Sequence, residues 1–303
     1  MALGGNPIFN GKSFRGATQA PPVPQAPYGA PYGQAQYGQT QYGQTQYGQA
    51  PGQQGWGTQP QSMSDEQLRQ MYSQPSAGPA DTGRMTFDDV IMKTAACLGA
   101  VIVGAAITLT VGLPLASMLM IVGALGGFVL ALVNTFKKQP SPALILAYAA
   151  LEGLFLGGLT RILDTQYPGV GLQAVVGTLS VFAVTLVLFK SGKVRATPKA
   201  MRFFMIALGG YALFSIVNLV MMMTGLTQEP FGLRSGMIGV IIGLLAIGLA
   251  AFSLVMDFTS IEAGVRSGAP QRFSWTAAFG LTVTLVWLYV EIIRLLAILR
   301  GDD

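Results

Sequence analysis

Residues 287–300 read WLYVEIIRLLAILR, an apolar stretch that contains the carboxylate of Glu291 and the guanidinium of Arg294. The stretch ends a longer apolar run, residues 275–299, which is long enough to cross a bilayer as a helix. A charged side chain at mid-membrane costs about 2.5–3.5 kcal/mol, so such charges persist where they pair, line water or bind a ligand. The stretch therefore indicates a membrane helix that carries a paired or functional charge.

Hydropathy along the rest of the chain predicts six further membrane spans. Of the 303 residues, 51% are hydrophobic and only 10% are charged, whereas soluble proteins carry about 25% charged residues. We therefore predict an all-α membrane protein with seven transmembrane helices embedded in a lipid bilayer. The predicted spans are residues 94–111, 115–136, 143–160, 170–189, 203–224, 235–256 and 275–299.

The first 83 residues have a different composition from the rest of the chain. They are rich in Gln, Gly, Pro and Tyr, and the repeat YGQAQYGQTQYGQTQYGQA at residues 32–50 has a tyrosine at every fifth position. Such a segment cannot bury enough apolar surface to offset the entropy of ordering. We predict a disordered tail over residues 1–83, which serves as a tether or as a tyrosine array that binds a partner. The seven-helix domain is predicted over residues 84–303.

Basic residues are distributed unevenly among the predicted loops. Nine of them lie in the loops after the second, fourth and sixth spans, whereas the alternate loops contain only Arg161 and Arg234. Cytoplasmic loops of membrane proteins carry an excess of Lys and Arg. We therefore predict a multi-pass plasma-membrane protein whose N-terminus is cytoplasmic and whose C-terminus is outside.

Three carboxylates within or at the ends of the spans are candidate functional groups: Glu152, Asp257 and Glu291. Burial disfavours the ionised form of a carboxylate, and two neighbouring carboxylates can share one proton. These residues are therefore candidates for pH sensing and for an ion pathway. Because oxygen ligands suit a hard cation, Asp257 and Glu291 are also candidate calcium ligands.

Each acidic group also has a simpler interpretation. Glu291 and Arg294 lie three residues apart on one helix face, so they can neutralise each other. Asp257 follows the last residue of the sixth predicted span, where it can face interfacial water. Glu152 is near mid-span with no charge nearby in sequence, so we expect a protonated hydrogen-bonding group or a cavity-lining group. Tyr148, one turn earlier, can donate to it.

The sequence gives little support to an enzyme. The chain has no histidine, which excludes zinc binding by imidazole and Ser-His triads, and its one cysteine excludes an intramolecular disulfide. The last span contains no lysine that could bind retinal, and neither a Gly-x-Gly-Asp motif nor a Walker loop occurs. We therefore predict no enzymatic activity, no cofactor and no nucleic-acid partner.

Three stretches together resemble the transmembrane Bax inhibitor motif family, in particular its bacterial branch. They are ALILAYAALEGLFLGG in the third span, SLVMDFTSIEAGVRSGAP at the end of the sixth and VWLYVEIIRLLAILRG in the seventh, and the likeness covers residues 84–303. The resemblance implies a central seventh helix and a hydrogen-bonded pair of acidic residues that senses pH and gates a calcium leak. Asp257 matches the acidic position on the sixth helix, and Glu291 matches the one on the seventh through its Leu-Tyr context.

Two features depart from the family pattern. The chain between Asp257 and Glu291 is longer than in typical members by two or three helical turns. Glu291 lies about 24 Å along the helix from Trp275, so direct pairing requires the last helix to begin outside the membrane or to bend near Gly280. The second span also lacks a basic residue that could latch the sixth-helix aspartate, so the latch is absent or its role is taken by Arg294 and Glu152.

Three functional hypotheses follow. The first is a pH-regulated cation leak pathway, with calcium as the transported ion. The second is a non-conducting regulator that binds a membrane protease or another membrane protein of a stress complex. The third is a proton-coupled transporter of a small solute, in which Glu152 takes up the proton. The sequence specifies no oligomeric state.

Overall fold

The computed structural model describes residues 83–227, 229 and 231–301. Within them, seven helices are long and apolar enough to cross a membrane. The prediction of an all-α membrane protein with seven transmembrane helices is confirmed. The predicted disordered tail lies outside the described residues apart from Gly83, so the tail and the domain boundary stay predictions. The helices are α1 Phe87–Thr110, α2 Leu113–Phe136, α3 Pro142–Gln166, α4 Val170–Lys190, α5 Pro198–Met223, α6 Gly236–Arg266 and α7 Phe273–Gly301, with a 3-10 turn at Gly232–Arg234 before α6.

The largest difference from the predicted spans is at the end of α6, which continues to Arg266 rather than ending at residue 256. Hydropathy falls where polar residues begin, but burial does not, because Phe258, Ile261 and Gly264 still face the interior of the bundle. Asp257 therefore lies inside the helix, nine residues before its end, or about 14 Å at helical rise.

The central helix of the bundle is α7, as predicted. It packs against α1, α3, α4 and α6 and is the most buried of the seven helices. Helix α5 is the least buried and packs mainly on α6 and on the 3-10 turn. Side chains on α7 can therefore contact most of the other helices. A functional group on α7 could for this reason act on several helices at once.

Helix α3 packs closely against α1 on one side and against α2 on the other, and glycines permit both contacts. Gly104 of α1 and Gly153 of α3 face each other, and a Cβ atom on Gly153 would lie 3.0 Å from the Gly104 Cα. On the other side, Gly123 of α2 lies against the backbone of Phe155 in α3. Small residues that let backbones approach are the usual basis of helix packing in lipid.

The residues just before α1 pair with the connection between α6 and α7. The Met85 amide donates to the Ala269 carbonyl at 2.7 Å, and the Gln271 amide donates to the Gly83 carbonyl at 2.8 Å. The Met85 side chain is buried in the main core. We call this pairing of residues 83–85 with residues 269–271 the N-terminal clamp. It fixes the start of α1 beside the loop that joins the two most buried helices.

Replacing Thr86 with alanine is expected to destabilise the start of α1 by about 1 kcal/mol, because Thr86 is its N-cap. The Thr86 Oγ1 accepts a hydrogen bond from the Asp89 amide at 3.1 Å. Hydrogen exchange of the purified protein should show faster exchange of the first-turn amides of α1. Thr165→Ala is the control, since its exposed hydroxyl bonds only to its own helix. Unchanged exchange at Asp89 would contradict the prediction.

Candidate functional site: acidic groups on and around the central helix

The Glu291 carboxylate of α7 is buried among donors from three parts of the chain. Its side chain is only 3% exposed. The Tyr211 hydroxyl of α5 donates to Oε1, and the Trp287 indole Nε1, one turn earlier on α7, lies 3.2 Å from the same oxygen. Arg294 Nη1 lies 3.2 Å from Oε2, so the ion pair that the spacing allows is present.

A second arginine, Arg234, reaches the same carboxylate from the 3-10 turn before α6. Its Nη1 lies 3.6 Å from Glu291 Oε1, and its Nη2 donates to the Ser215 hydroxyl at 2.5 Å. The guanidinium also lies over the ring of Tyr211, 4.8 Å from the centroid. Such cation–π contacts stabilise a buried cation. We call Glu291, Arg234, Arg294, Tyr211 and Ser215 the Glu291 cluster.

Asn218 of α5 explains why Arg234 reaches so far into the bundle. Its Oδ1 accepts the Leu233 amide at 2.7 Å, and its Nδ2 donates to the Phe231 carbonyl at 3.3 Å. Gly232 has a φ of 62°, a backbone conformation that favours glycine. The turn is thereby attached to the side of α5, and the Arg234 side chain extends towards α7.

The charges within the Glu291 cluster do not balance. Two guanidinium groups face one carboxylate, which leaves one formal positive charge in excess when all three groups are ionised. A buried ion pair contributes little net stability, but removing one member of it is costly. The cluster therefore connects α5, α7 and the 3-10 turn through charges that depend on one another.

The Asp257 carboxylate of α6 lies against another part of α7. Its side chain is fully buried, and its Oδ2 accepts a hydrogen bond from the Thr284 hydroxyl of α7 at 2.7 Å. The alternative that Asp257 faces interfacial water is wrong, because the residue is fully buried inside the bundle. Thr284 and Glu291 are seven residues apart, about 10 Å along the helix and on nearly the same face. Asp257 thus contacts α7 two turns before the position of Glu291 on that helix; direct pairing of the two carboxylates stays a prediction.

Glu152 is a residue of α3, and its side chain lies against α2. Its Oε1 is close to Gly127, where a Cβ atom would come within 2.9 Å of it. Tyr148, one turn earlier, interacts with it electrostatically, and the Tyr148 ring packs edge-on against Phe279 of α7 with centroids 4.9 Å apart. Glu152 is therefore connected to the central helix indirectly, through an aromatic pair.

A comparison with protein-family models gives one match, which covers residues 6–301. Its description is "Bax inhibitor 1 like". The chain belongs to this Bax inhibitor family. The match confirms the resemblance noted in the sequence and extends it, because it includes most of the segment predicted to be a tail. Membership of the bacterial branch stays a prediction. No curated protein matches the chain in the corresponding comparison.

In this Bax inhibitor family member, the contacts of Arg234 and Tyr211 with Glu291 are not predicted from the sequence. Arg234 is a lone basic residue in a loop next to a glycine, and Tyr211 is an isolated aromatic residue in an apolar helix. A single arginine between two spans was the only available signal. Its side chain is 6% exposed, whereas a loop arginine is normally solvated.

The described residues give no resident metal site for this family member. Among residues 83–227, 229 and 231–301, no group of three or more His, Cys, Asp or Glu side chains could hold a metal ion. The Glu291 oxygens are engaged by Tyr211, Trp287 and Arg294. Calcium ligation by Asp257 and Glu291 stays a prediction.

Proposed function

We propose that this Bax inhibitor family member is a pH-sensitive cation leak pathway with calcium as the transported ion. The observation that carries the proposal is Asp257, a fully buried carboxylate on α6 that accepts a hydrogen bond from Thr284 of the central helix. An ionisable group inside a membrane bundle is costly and is typical of ion or proton pathways. The proposal assigns the chain no enzymatic reaction.

In this proposal Asp257 is the pH-sensing group and the Glu291 cluster keeps the pathway closed. Protonation of Asp257 would replace a charge-assisted hydrogen bond to Thr284 by a weaker neutral one and loosen the contact between α6 and α7. The excess positive charge of Arg234 and Arg294 would repel a passing cation. Glu152, between α2 and α3, is a further candidate for the pathway.

The positive-inside rule supports a plasma-membrane topology for this proposal. Nine basic residues lie in or beside the connections α2–α3, α4–α5 and α6–α7, whereas the α5–α6 connection has only Arg234 among the described residues. The ends with the nine basic residues are therefore proposed to be cytoplasmic. Asp257 then lies in the cytoplasmic half of the bundle. The Glu291 cluster and the C-terminus lie towards the outside.

Calcium flux into liposomes tests the proposal. The full-length protein, reconstituted with a calcium-sensitive dye inside the vesicles, is expected to pass calcium at a rate that depends on pH. Asp257→Asn should remove most of the difference in initial rate between acidic and alkaline buffer, because residue 257 then no longer ionises. Glu291→Gln should alter the pH response as well. Asp88→Asn, at an exposed position on α1, is the control. Flux equal to that of empty liposomes at every pH would overturn the proposal.

A second candidate function is favoured by the N-terminal clamp. Residues 83–85 are hydrogen-bonded to the α6–α7 connection, so a protein that binds the preceding N-terminal residues could act directly on the two helices that carry Asp257 and Glu291. This would suit a non-conducting regulator of a membrane protease or stress complex. Crosslinking in native membranes that recovers a stoichiometric protease partner, combined with no flux, would favour this function over the leak pathway.

A further inference from the structure

The start of α6 combines an unsatisfied arginine with an uncapped helix N-terminus. Arg234 is 6% exposed, yet its Nε has no hydrogen-bond partner among the residues that the structure describes. The next residue, Ser235, is the N-cap of α6, but its side chain makes no capping bond and its buried hydroxyl also lacks a partner. Buried polar groups are normally hydrogen-bonded, so adjacent exceptions call for an explanation.

The chemistry of these groups fits an anion. Arg234 Nε and the Ser235 hydroxyl are both donors, and the first turn of α6 contains no acidic residue. The N-terminus of a helix carries a partial positive charge and free amide groups, which favour phosphate and carboxylate ligands. Arg234 and Arg294 together carry one positive charge more than Glu291 neutralises. This excess charge also favours an anion.

The Arg234 side chain uses its terminal nitrogens for contacts within the bundle, whereas its buried Nε has no partner among the described residues. Its terminal nitrogens extend inward, where Nη2 bonds Ser215 and Nη1 approaches Glu291. Nε is the guanidinium nitrogen nearest to the residue's own backbone, so it is close to the start of α6. One guanidinium can thus neutralise Glu291 with its tip and still offer a donor to a ligand at the helix end.

The length of α6 puts this end at the level of lipid headgroups. Its 31 residues extend about 46 Å at helical rise, which matches the thickness of a bilayer with its headgroup regions. Leu233, Met237 and Ile238 beside the site are exposed apolar residues that suit contact with acyl chains. A phosphate group next to hydrocarbon is the arrangement found in a phospholipid.

We propose that Arg234, Ser235 and the N-terminus of α6 form a binding site for a phosphate group, that of a phospholipid headgroup or of free inorganic phosphate. The site does not depend on the proposed leak function, because a non-conducting protein could bind the same group. Occupation would satisfy Arg234 Nε and the Ser235 hydroxyl and would strengthen the attachment of the 3-10 turn to the Glu291 cluster.

Native mass spectrometry of the delipidated full-length protein tests the site. Phosphatidylglycerol is compared with a diacyl glycolipid of the same acyl chains that lacks phosphate. In parallel, thermal unfolding is measured in inorganic phosphate and in chloride at equal ionic strength. Wild-type protein is expected to bind phosphatidylglycerol about tenfold more than the glycolipid, since a hydrogen bond to a charged group is worth a factor of this order.

Variants at the site and a matched control make the test specific. Arg234→Gln is expected to reduce phosphatidylglycerol binding to the glycolipid level, whereas Arg161→Gln, which removes an exposed arginine from α3, should leave it unchanged. Arg234→Lys and Ser235→Ala keep the cluster charge, so they remain informative if Arg234→Gln fails to fold; each should weaken binding several-fold.

The outcomes separate the two sources of phosphate. Stabilisation by inorganic phosphate without lipid preference assigns the site to a free anion, and lipid preference without a phosphate effect assigns it to a headgroup. The proposal is overturned if neither ligand exceeds its phosphate-free comparison, or if Arg234→Lys and Ser235→Ala both bind as the wild type does.

Discussion

Replacing Glu291 with glutamine is expected to lower the free energy of unfolding by about 3–5 kcal/mol, the usual cost of breaking a buried ion pair by removing one partner. Glutamine has the same shape and can still accept from Tyr211, so the effect isolates the lost charge. Arg234 and Arg294 then remain in the bundle without a counter-ion. Thermal or denaturant unfolding of the purified protein in neutral detergent measures the loss.

Glu262 provides a matched control for this charge effect. It is also paired with two arginines, Arg195 at 2.8 Å and Arg266 at 2.6 Å, but its side chain is 19% exposed and both arginines reach solvent. Glu262→Gln should cost about 1 kcal/mol or less, as exposed pairs do. Adding Arg234→Met to Glu291→Gln should restore part of the lost stability. Equal losses for Glu262→Gln and Glu291→Gln would show that the Glu291 cluster is not a buried charge network.

The second large effect is expected at the crossing of α1 and α3. Gly153→Ala should destabilise the bundle by about 1–3 kcal/mol, because the new methyl group meets backbone atoms of Val101 and Gly104 that cannot move independently of α1. The helices would have to separate, and the contact of Gly157 with Ala105 one turn further along would loosen with them.

Gly248→Ala is the control for this packing effect. Gly248 is exposed on α6, and a Cβ atom there would meet nothing within 4 Å. No loss of stability is expected, and a gain of up to about 1 kcal/mol, because alanine favours a helix more than glycine does. Unfolding of both variants under the same conditions gives the comparison directly. A Gly153→Ala protein as stable as Gly248→Ala would mean that α1 and α3 separate at little cost.

Much of the fold could be predicted from the sequence, since seven long apolar runs leave few alternatives in a bilayer. The spans were placed correctly because each one is a continuous local signal. The end of α6 was missed because hydropathy falls there while helix and burial continue.

The candidate site was predictable only in part. Asp257 and Glu291 stood out because carboxylates are rare in membrane spans. Their neighbours could not be inferred, since Thr284 looks like any other hydroxyl in an apolar helix. Arg234 approaches Glu291 only because Asn218 holds the intervening turn. Contacts of this kind depend on how separate parts of the chain meet in three dimensions, which no local pattern records.

The N-terminal clamp also has a consequence for how the protein is made. Lys93 of α1 donates to the carbonyl of Gln271, 178 residues later in the chain. During synthesis α1 therefore enters the membrane long before α6 and α7 have been made. The contacts of α1 with these two helices and with the loop between them can form only after both have been synthesised. Contacts between such distant segments form late and slowly. A chain interrupted before α7 would still allow α1 to pack on α3, but α1 would lack its contacts with the central helix α7.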